Sequence, residues 1–132
     1  MRTLLPHIQR EIARQDDKWV QMARSLVEDL KESGKDKRRQ LRNIQEVAES
    51  SDSWKALELF IRYQAARGEI DEGWAERAIQ RLENLREEAQ SLAGQVAGAD
   101  VRAIHLALVA RVLGYAVRWH TWDVKGGEEK NE

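Results

Sequence analysis

Hydrophobic residues along the chain recur at spacings of three, four or seven positions, which is the pattern of amphipathic α-helices. Six apolar residues of the first segment share this spacing: Ile8, Ile12, Trp19, Ala23, Leu26 and Leu30. The pattern predicts one long helix over about residues 6–33. Pro6 is tolerated in its first turn, and Gly34 favours its termination.

Glycine and polar stretches separate four further helical segments, predicted at about residues 36–50, 52–67, 72–92 and 100–122. Ser53 and Asp71 suit the N-caps of two of them, and Gly68 suits a left-handed helix end. The last segment is apolar around most of its circumference, which predicts a central position. We therefore expect an all-α five-helix bundle with a central apolar C-terminal helix, one domain over residues 1–124 and a disordered tail over 125–132.

Composition and charge exclude several classes of protein. The 132 residues include 22 Lys and Arg against 23 Asp and Glu, a formal net charge of -1, so the whole molecule is not a polycation. The absence of cysteine excludes a disulfide scaffold, a thiolate zinc site and a cysteine nucleophile. The first residues contain no apolar run of signal-peptide length, and the apolar stretch at 101–117 contains Arg102, His105 and Arg111. We expect a cytoplasmic protein without a membrane span.

Candidate catalytic groups are scattered. His7 lies far from the other two histidines, and His105 and His120 are separated by about 22 Å along one predicted helix. No zinc-protease motif, phosphate-binding loop or dinucleotide fingerprint is present. The sequence predicts neither an enzyme nor a metal or cofactor site.

One segment is strongly basic. Six bases fall between residues 31 and 42: Lys31, Lys35, Lys37, Arg38, Arg39 and Arg42. Only two acids fall there, so the local balance is +4. On a helical wheel the basic side chains lie to one side of Leu41, whereas Ile44 and Val47 lie to the other. This outer face would match a phosphate backbone, and the alternative is a solvated face without a ligand.

A second candidate surface lies on the last predicted helix. Arg111, Tyr115, Arg118 and Trp122 are spaced i, i+4, i+7 and i+11 and form one stripe. Arginine interleaved with aromatic residues is typical of single-strand binding, and the alternative is an amphipathic edge of the bundle. The other four tryptophans lie on apolar seams and are expected in the core: Trp19, Trp54, Trp74 and Trp119.

Two short segments carry a resemblance to a known family. They are Arg-Gln-Leu-Arg-Asn-Ile at 39–44 and Phe-Ile-Arg-Tyr-Gln-Ala-Ala-Arg-Gly at 60–68. The chain resembles, in these segments, in size and in an apolar last helix with Tyr115, the small helical subunit of type III-A CRISPR effector complexes. That family is non-catalytic, and its copies stack along the complex and contact target RNA paired to the guide. The resemblance implies RNA-facing or motif-stabilising roles for Arg42, Arg62 and Arg67, beside Arg38 and Arg39.

One position departs from the family pattern. The last helix of the family usually has an acidic residue upstream of its tyrosine, where this chain has Ala110 and Arg111. The related small subunit of the type III-B complex and an unrelated helical adaptor therefore remain alternatives.

Together these observations predict a subunit that binds RNA backbone without reading sequence. The predicted RNA-binding residues are Lys35, Lys37, Arg38, Arg39, Arg42, Arg62, Arg67, Arg111 and Arg118. The partners implied by the resemblance are guide RNA, target RNA, the backbone and large subunits of a type III CRISPR complex, and neighbouring copies of the chain. Self-association or side-by-side packing with a partner is also expected, because so apolar a last helix needs cover. The alternative function is a protein–protein adaptor or antitoxin-like bundle with no RNA contact.

Overall fold

The computed structural model describes residues 4–33 and 35–130, with side chains at all of these positions except 31–33 and 127–130. Every helix or strand assigned in these ranges is an α-helix. In chain order the helices are α1 (Pro6–Arg14), α2 (Asp16–Ser33), α3 (Arg38–Ser50), α4 (Trp54–Ala66), α5 (Glu72–Ala93) and α6 (Val101–Lys130). The all-α prediction is confirmed, and the described part of the chain has six helices rather than the expected five.

The additional helix arises from a break at Gln15 within the segment predicted as one helix. The backbone N–H of Gln15 donates to the Ile12 carbonyl at 3.2 Å, and the indole N–H of Trp19 donates to the same carbonyl at 2.8 Å. In a continuous helix that carbonyl would accept from the backbone N–H of Asp16. The buried Trp19 side chain therefore takes the hydrogen bond that would have continued the helix.

Helix α6 occupies the centre of the bundle and packs against α2, α3 and α5. Helix α2 runs parallel to it, because Asp16 meets Arg111 and Val20 meets Trp119 further along both helices. Among the described side chains of α6, every apolar residue except Trp122 is buried or half-buried within the chain. The need to bury the apolar surface of α6 is therefore no longer a reason to expect self-association.

The end of α6 differs from the predicted boundary at residue 122. The helix continues to Lys130, so the predicted tail over 125–132 begins inside it. Residues 131 and 132 lie outside the described part of the chain. Within that part, no helix combines the length and apolar composition that crossing a membrane requires.

The expected tryptophan core is confirmed at three positions. Trp19, Trp54 and Trp74 are buried, whereas Trp119 is half-buried and Trp122 is 72% exposed. The indole N–H of Trp74 donates to the Leu26 carbonyl at 2.9 Å. These rings tie α2, α4 and α5 into one core.

The predicted helix ends at α4 and α5 are also confirmed. The Ser53 hydroxyl accepts from the Ala56 N–H at 3.0 Å, and the Asp71 carboxylate accepts from the Trp74 N–H at 2.9 Å. Gly68 follows α4 with φ of 77°, a backbone conformation that favours glycine. These caps explain why α3, α4 and α5 are joined by short connections.

Candidate nucleic-acid interface

Helix α3 separates its apolar and cationic sides as its sequence pattern predicts. Leu41, Ile44 and Ala48 are buried against the rest of the bundle. Arg39 and Arg42 are exposed, and neither has an ion-pair partner in the described part of the chain. Two guanidinium groups three residues apart, hence on one face, are therefore available to an anionic ligand.

Arg38 has a local structural role at the start of the same helix. Its guanidinium bonds to both carboxylate oxygens of Asp36, at 3.0 and 2.8 Å, and its backbone N–H bonds to one of them at 3.0 Å. These bonds to Arg38 hold the pKa of Asp36 down to about 2. Arg38 is thus largely neutralised by a neighbour two residues away.

Lys37 connects α3 to two other parts of the bundle. Its backbone N–H donates to Nε2 of His120 at 2.8 Å, and its ammonium group donates to the Glu69 carbonyl at 2.9 Å. Gln40 reinforces this link through its amide, which donates to the Glu69 carboxylate at 3.3 Å. Lys37 therefore fixes the start of α3, and only Lys35 of the two lysines is exposed.

The contacts between α3 and α6 set the register of two rows of side chains. Lys37 meets His120, and a Cβ on Gly114 would lie 3.3 Å from the Gln45 amide nitrogen, so the helices run antiparallel. Arg42 on α3 and Arg118 on α6 each lie about one turn from that second contact, in rows that run side by side.

The next turn of each row extends the surface. Arg39 continues the row on α3, and the exposed Trp122 continues the row on α6. We call the surface formed by Arg39, Arg42, Arg118 and Trp122 the α3–α6 face. It is bounded along α3 by two acids, Glu46 and Glu49, which end the cationic row.

The arginine and aromatic stripe of α6 is divided into two halves. Arg111 donates to both oxygens of Asp16, at 2.8 and 3.2 Å, and the Tyr115 hydroxyl donates to the same carboxylate at 2.5 Å. The hydrogen bond from Arg111 is the main cause of a lowered pKa at Asp16. This half of the stripe is compensated within the protein and joins α2 to α6.

The other half of the stripe is open. The Arg118 guanidinium lies 5.2 Å from the centre of the Tyr115 ring and has no acidic partner among the ion pairs of the described part. Trp122, one turn further, is 72% exposed, unlike the other four tryptophans. A cation beside an exposed indole can contact a phosphate and an adjacent base together.

Arg62 and Arg67 lie at the end of α4, on a different helix from the arginines of the α3–α6 face. Arg62 pairs with Glu58 at 3.5 Å and with Glu76, and Arg67 lies 5.4 Å from the centre of the Tyr63 ring. The connection that follows α4 meets α3 through Glu69, whose carboxylate accepts from Gln40. Gln40 also lines a shallow cavity on α3 together with Arg39 and Arg42.

Trp122 is the residue of this surface that was not among the predicted RNA-binding residues. Its position four residues after Arg118 was a sequence signal that it belongs to the same stripe. Its exposure, which distinguishes it from the buried tryptophans, is visible only in the folded chain. The pairing of Arg111 with Asp16 had no local signal, because the two residues are 95 positions apart.

The histidines serve the fold. His105 contacts the Leu82 carbonyl at 2.9 Å and His120 accepts from Lys37, and burial lowers the pKa of both rings. Among residues with described side chains, no three His, Asp or Glu lie close enough together to hold a metal ion.

Comparison of the chain with protein-family models, with curated proteins and with solved structures finds no match in any of the three. The resemblance of residues 39–44 and 60–68 to the CRISPR small-subunit family therefore stays a prediction.

Proposed function

We propose that this protein is a non-catalytic RNA-binding subunit that holds RNA backbone without reading its sequence. The observation that carries the proposal is the α3–α6 face, which has one exposed tryptophan and three arginines that form no ion pair in the described part of the chain. Guanidinium groups on a surface of this kind favour phosphates, whose neutralisation releases counterions. An indole platform accepts any base, which suits a surface without sequence preference.

The proposed assembly is a type III CRISPR ribonucleoprotein effector complex, in which the chain is the small subunit. This context comes from the resemblance of segments 39–44 and 60–68, and Arg39 and Arg42 of the first segment are part of the α3–α6 face. The proposed partners are guide and target RNA, the backbone and large subunits, and neighbouring copies. Purification of the tagged protein from its native host tests this, since guide RNA and the larger subunits should accompany it, and their absence would contradict the assembly.

RNA binding itself is tested with a double variant, R39A/R42A. The matched control is R10A/R81A, which removes two exposed arginines from α1 and α5 that also lack ion-pair partners in the described part. Two unrelated single-stranded RNAs of equal length are measured by fluorescence anisotropy at constant salt. Loss of two charge-assisted contacts of about 1 kcal/mol each predicts about 30-fold weaker binding of both RNAs.

The control should bind within about twofold of the wild type, because Arg10 and Arg81 lie outside the α3–α6 face. It has the same net charge as the test variant, so the comparison separates the face from the effect of overall charge. Equal losses in the two double variants would show a general charge effect and contradict the α3–α6 face. A loss confined to one of the two RNAs would contradict binding without sequence preference.

A protein–protein adaptor is the second candidate function, and one observation favours it. On α4, Leu59 is 68% exposed and Tyr63 is 54% exposed, and their i, i+4 spacing places them on one face. Exposed apolar residues in one row are typical of a partner surface. A complex formed through this face should be nearly insensitive to salt and should weaken in L59A, whereas RNA binding should not change in that variant.

A further inference from the structure

A cavity of about 270 Å³ lies at the end of the bundle opposite the α3–α6 face. It is lined by Asp52, Ser53, Trp54, Lys55, Arg86, Arg102, His105 and Leu106. Arg102 and Trp122 are twenty residues apart on α6, which corresponds to about 30 Å along the helix axis. Whatever binds here therefore occupies a site separate from the proposed RNA surface.

The charges around the cavity favour an anion. Three cationic side chains, Lys55, Arg86 and Arg102, face one acid, Asp52. The Lys55 side chain is 84% exposed and its ammonium is 3.7 Å from Glu58, and Arg86 makes only a long contact of 3.4 Å with Glu83. The guanidinium of Arg102 has no acidic partner among the ion pairs of the described part.

Two helices begin at this cavity. Helix α4 starts at Trp54 and contributes its first two residues, and α6 starts at Val101 and contributes Arg102 and His105. The N-terminal end of a helix carries the positive end of the helix dipole and backbone N–H groups without a partner inside the helix. The start of α6 is capped by the Asp100 carboxylate, which accepts from the Arg102 N–H at 3.0 Å, whereas α4 is capped by the neutral Ser53 hydroxyl. The start of α4 therefore adds positive potential, and that of α6 is offset by Asp100.

An independent observation concerns the indole of Trp54. The residue is 6% exposed, and its Nε1–H is buried without a hydrogen-bond partner in the described part of the chain. Oε2 of Glu83, the acid that contacts Arg86, is also buried there without a partner. The other buried indoles are satisfied, since Trp19 and Trp74 donate to carbonyls at 2.8 and 2.9 Å. The Trp54 ring packs against His105, with the ring centres 5.2 Å apart. An unsatisfied buried donor on a residue that lines a cationic cavity indicates a missing acceptor.

We propose that this cavity binds a phosphate group that accepts hydrogen bonds from the Trp54 indole and the Arg102 and Arg86 guanidinium groups. A phosphate presents several acceptor oxygens in different directions, which matches donors placed on three separate helices, and its charge offsets the excess of cations. The cavity is smaller than the pockets that hold drug-sized ligands. It therefore takes a phosphate with little else enclosed.

The test follows the tryptophan indole signals of the full chain by ¹H–¹⁵N NMR during titration with inorganic phosphate. Sodium chloride keeps the ionic strength constant. The Trp54 signal is identified by its loss in W54F, and the proposal expects it to shift saturably with phosphate. An unmoved Trp54 signal, or the same shift with chloride alone, would overturn the proposal.

Two variants of opposite sign sharpen this test. R102A removes an exposed cation without breaking an ion pair of the described structure, and it should weaken phosphate binding about tenfold. D52N removes the acid that faces the anion, and it should strengthen binding about twofold or threefold. R81A, which lines a separate cavity with Met22 and Ser25 of α2, should bind phosphate as the wild type does. Equal affinities in R102A, D52N and the wild type would overturn the assignment.

The source of the phosphate group is distinguished by competition at the same Trp54 signal. A nucleoside 5′-monophosphate, a 5′-phosphorylated RNA oligonucleotide and the same oligonucleotide with a 5′-hydroxyl are compared with inorganic phosphate. If only the 5′-phosphorylated oligonucleotide displaces inorganic phosphate, the site binds a terminal phosphate. If both oligonucleotides displace it, the site binds internal phosphodiesters. Failure of all three while inorganic phosphate still binds supports a free phosphate ion.

This site does not rest on the proposed RNA function. R39A/R42A should bind inorganic phosphate at this cavity with unchanged affinity, so the two proposals fail independently. Weakened phosphate binding in that variant would overturn the placement of the site at the opposite end of the bundle.

Discussion

Replacement of Trp19 by phenylalanine tests the helix break that separates α1 from α2. Trp19 is fully buried, and its indole N–H donates at 2.8 Å to the Ile12 carbonyl. W19F removes a buried hydrogen bond, which costs about 1 kcal/mol, and leaves an unfilled space where the second ring was, which costs about 1 kcal/mol more. We therefore expect the free energy of unfolding to fall by about 2 kcal/mol.

The matched control is the same substitution at Trp122, which is 72% exposed. W122F should change the free energy of unfolding by less than about 0.5 kcal/mol, because an exposed ring has few contacts to lose. Urea unfolding followed by circular dichroism measures both variants. With a slope of about 2 kcal/mol per molar urea, the midpoint of W19F should fall by about 1 M, and that of W122F should barely move. Equal midpoints for the two variants would refute the assigned burial and the role of the indole at the break.

Three further predictions concern caps and titrating groups. Asp71 caps α5, so D71A should lower the free energy of unfolding by about 1 kcal/mol in the same urea assay, and no loss would contradict the cap. The bonds from Arg38 lower the pKa of Asp36 from 3.8 to about 2. The unfolded state therefore binds more protons in this range, and the free energy of unfolding should fall as the pH decreases from about 4 to about 2. D36N should lack this part of the pH dependence. Burial lowers the pKa of His105 and His120 below 6.5, so the free energy of unfolding should also fall as the pH decreases below about 6.5. If H105Q and H120Q keep the wild-type pH dependence of unfolding, burial of the neutral rings is contradicted.

The helices themselves followed from local information in the sequence. Side chains spaced three and four residues apart, as in α3 with Leu41, Ile44 and Ala48, must share a face whichever partner they meet. Caps such as Ser53 and Asp71 act on N–H groups three residues away, so they too are visible in sequence. The break at Gln15 was not visible, because the apolar spacing runs through it and its cause is a side-chain hydrogen bond to the backbone.

The candidate site was only partly predictable for a different reason. Sequence identified the cations, but which of them remain available depends on acids brought close by folding. Asp16 neutralises Arg111 across 95 positions, and Glu76 does so for Arg62 across 14. That the rows of Arg42 and Arg118 run side by side likewise depends on the antiparallel packing of α3 on α6, which helical periodicity does not encode.

The most direct test of the account is the salt dependence of RNA binding through the α3–α6 face. Affinity for one single-stranded RNA is measured from 50 to 200 mM salt in the wild type, in R39A/R42A and in the control R10A/R81A. Each phosphate contact contributes about 0.7 to the slope of log affinity against log salt, so the account predicts that R39A/R42A lowers that slope by about 1.4 while the control retains the wild-type slope. A wild-type slope in R39A/R42A, with the variant folded, would contradict the claim that these arginines bind the RNA backbone.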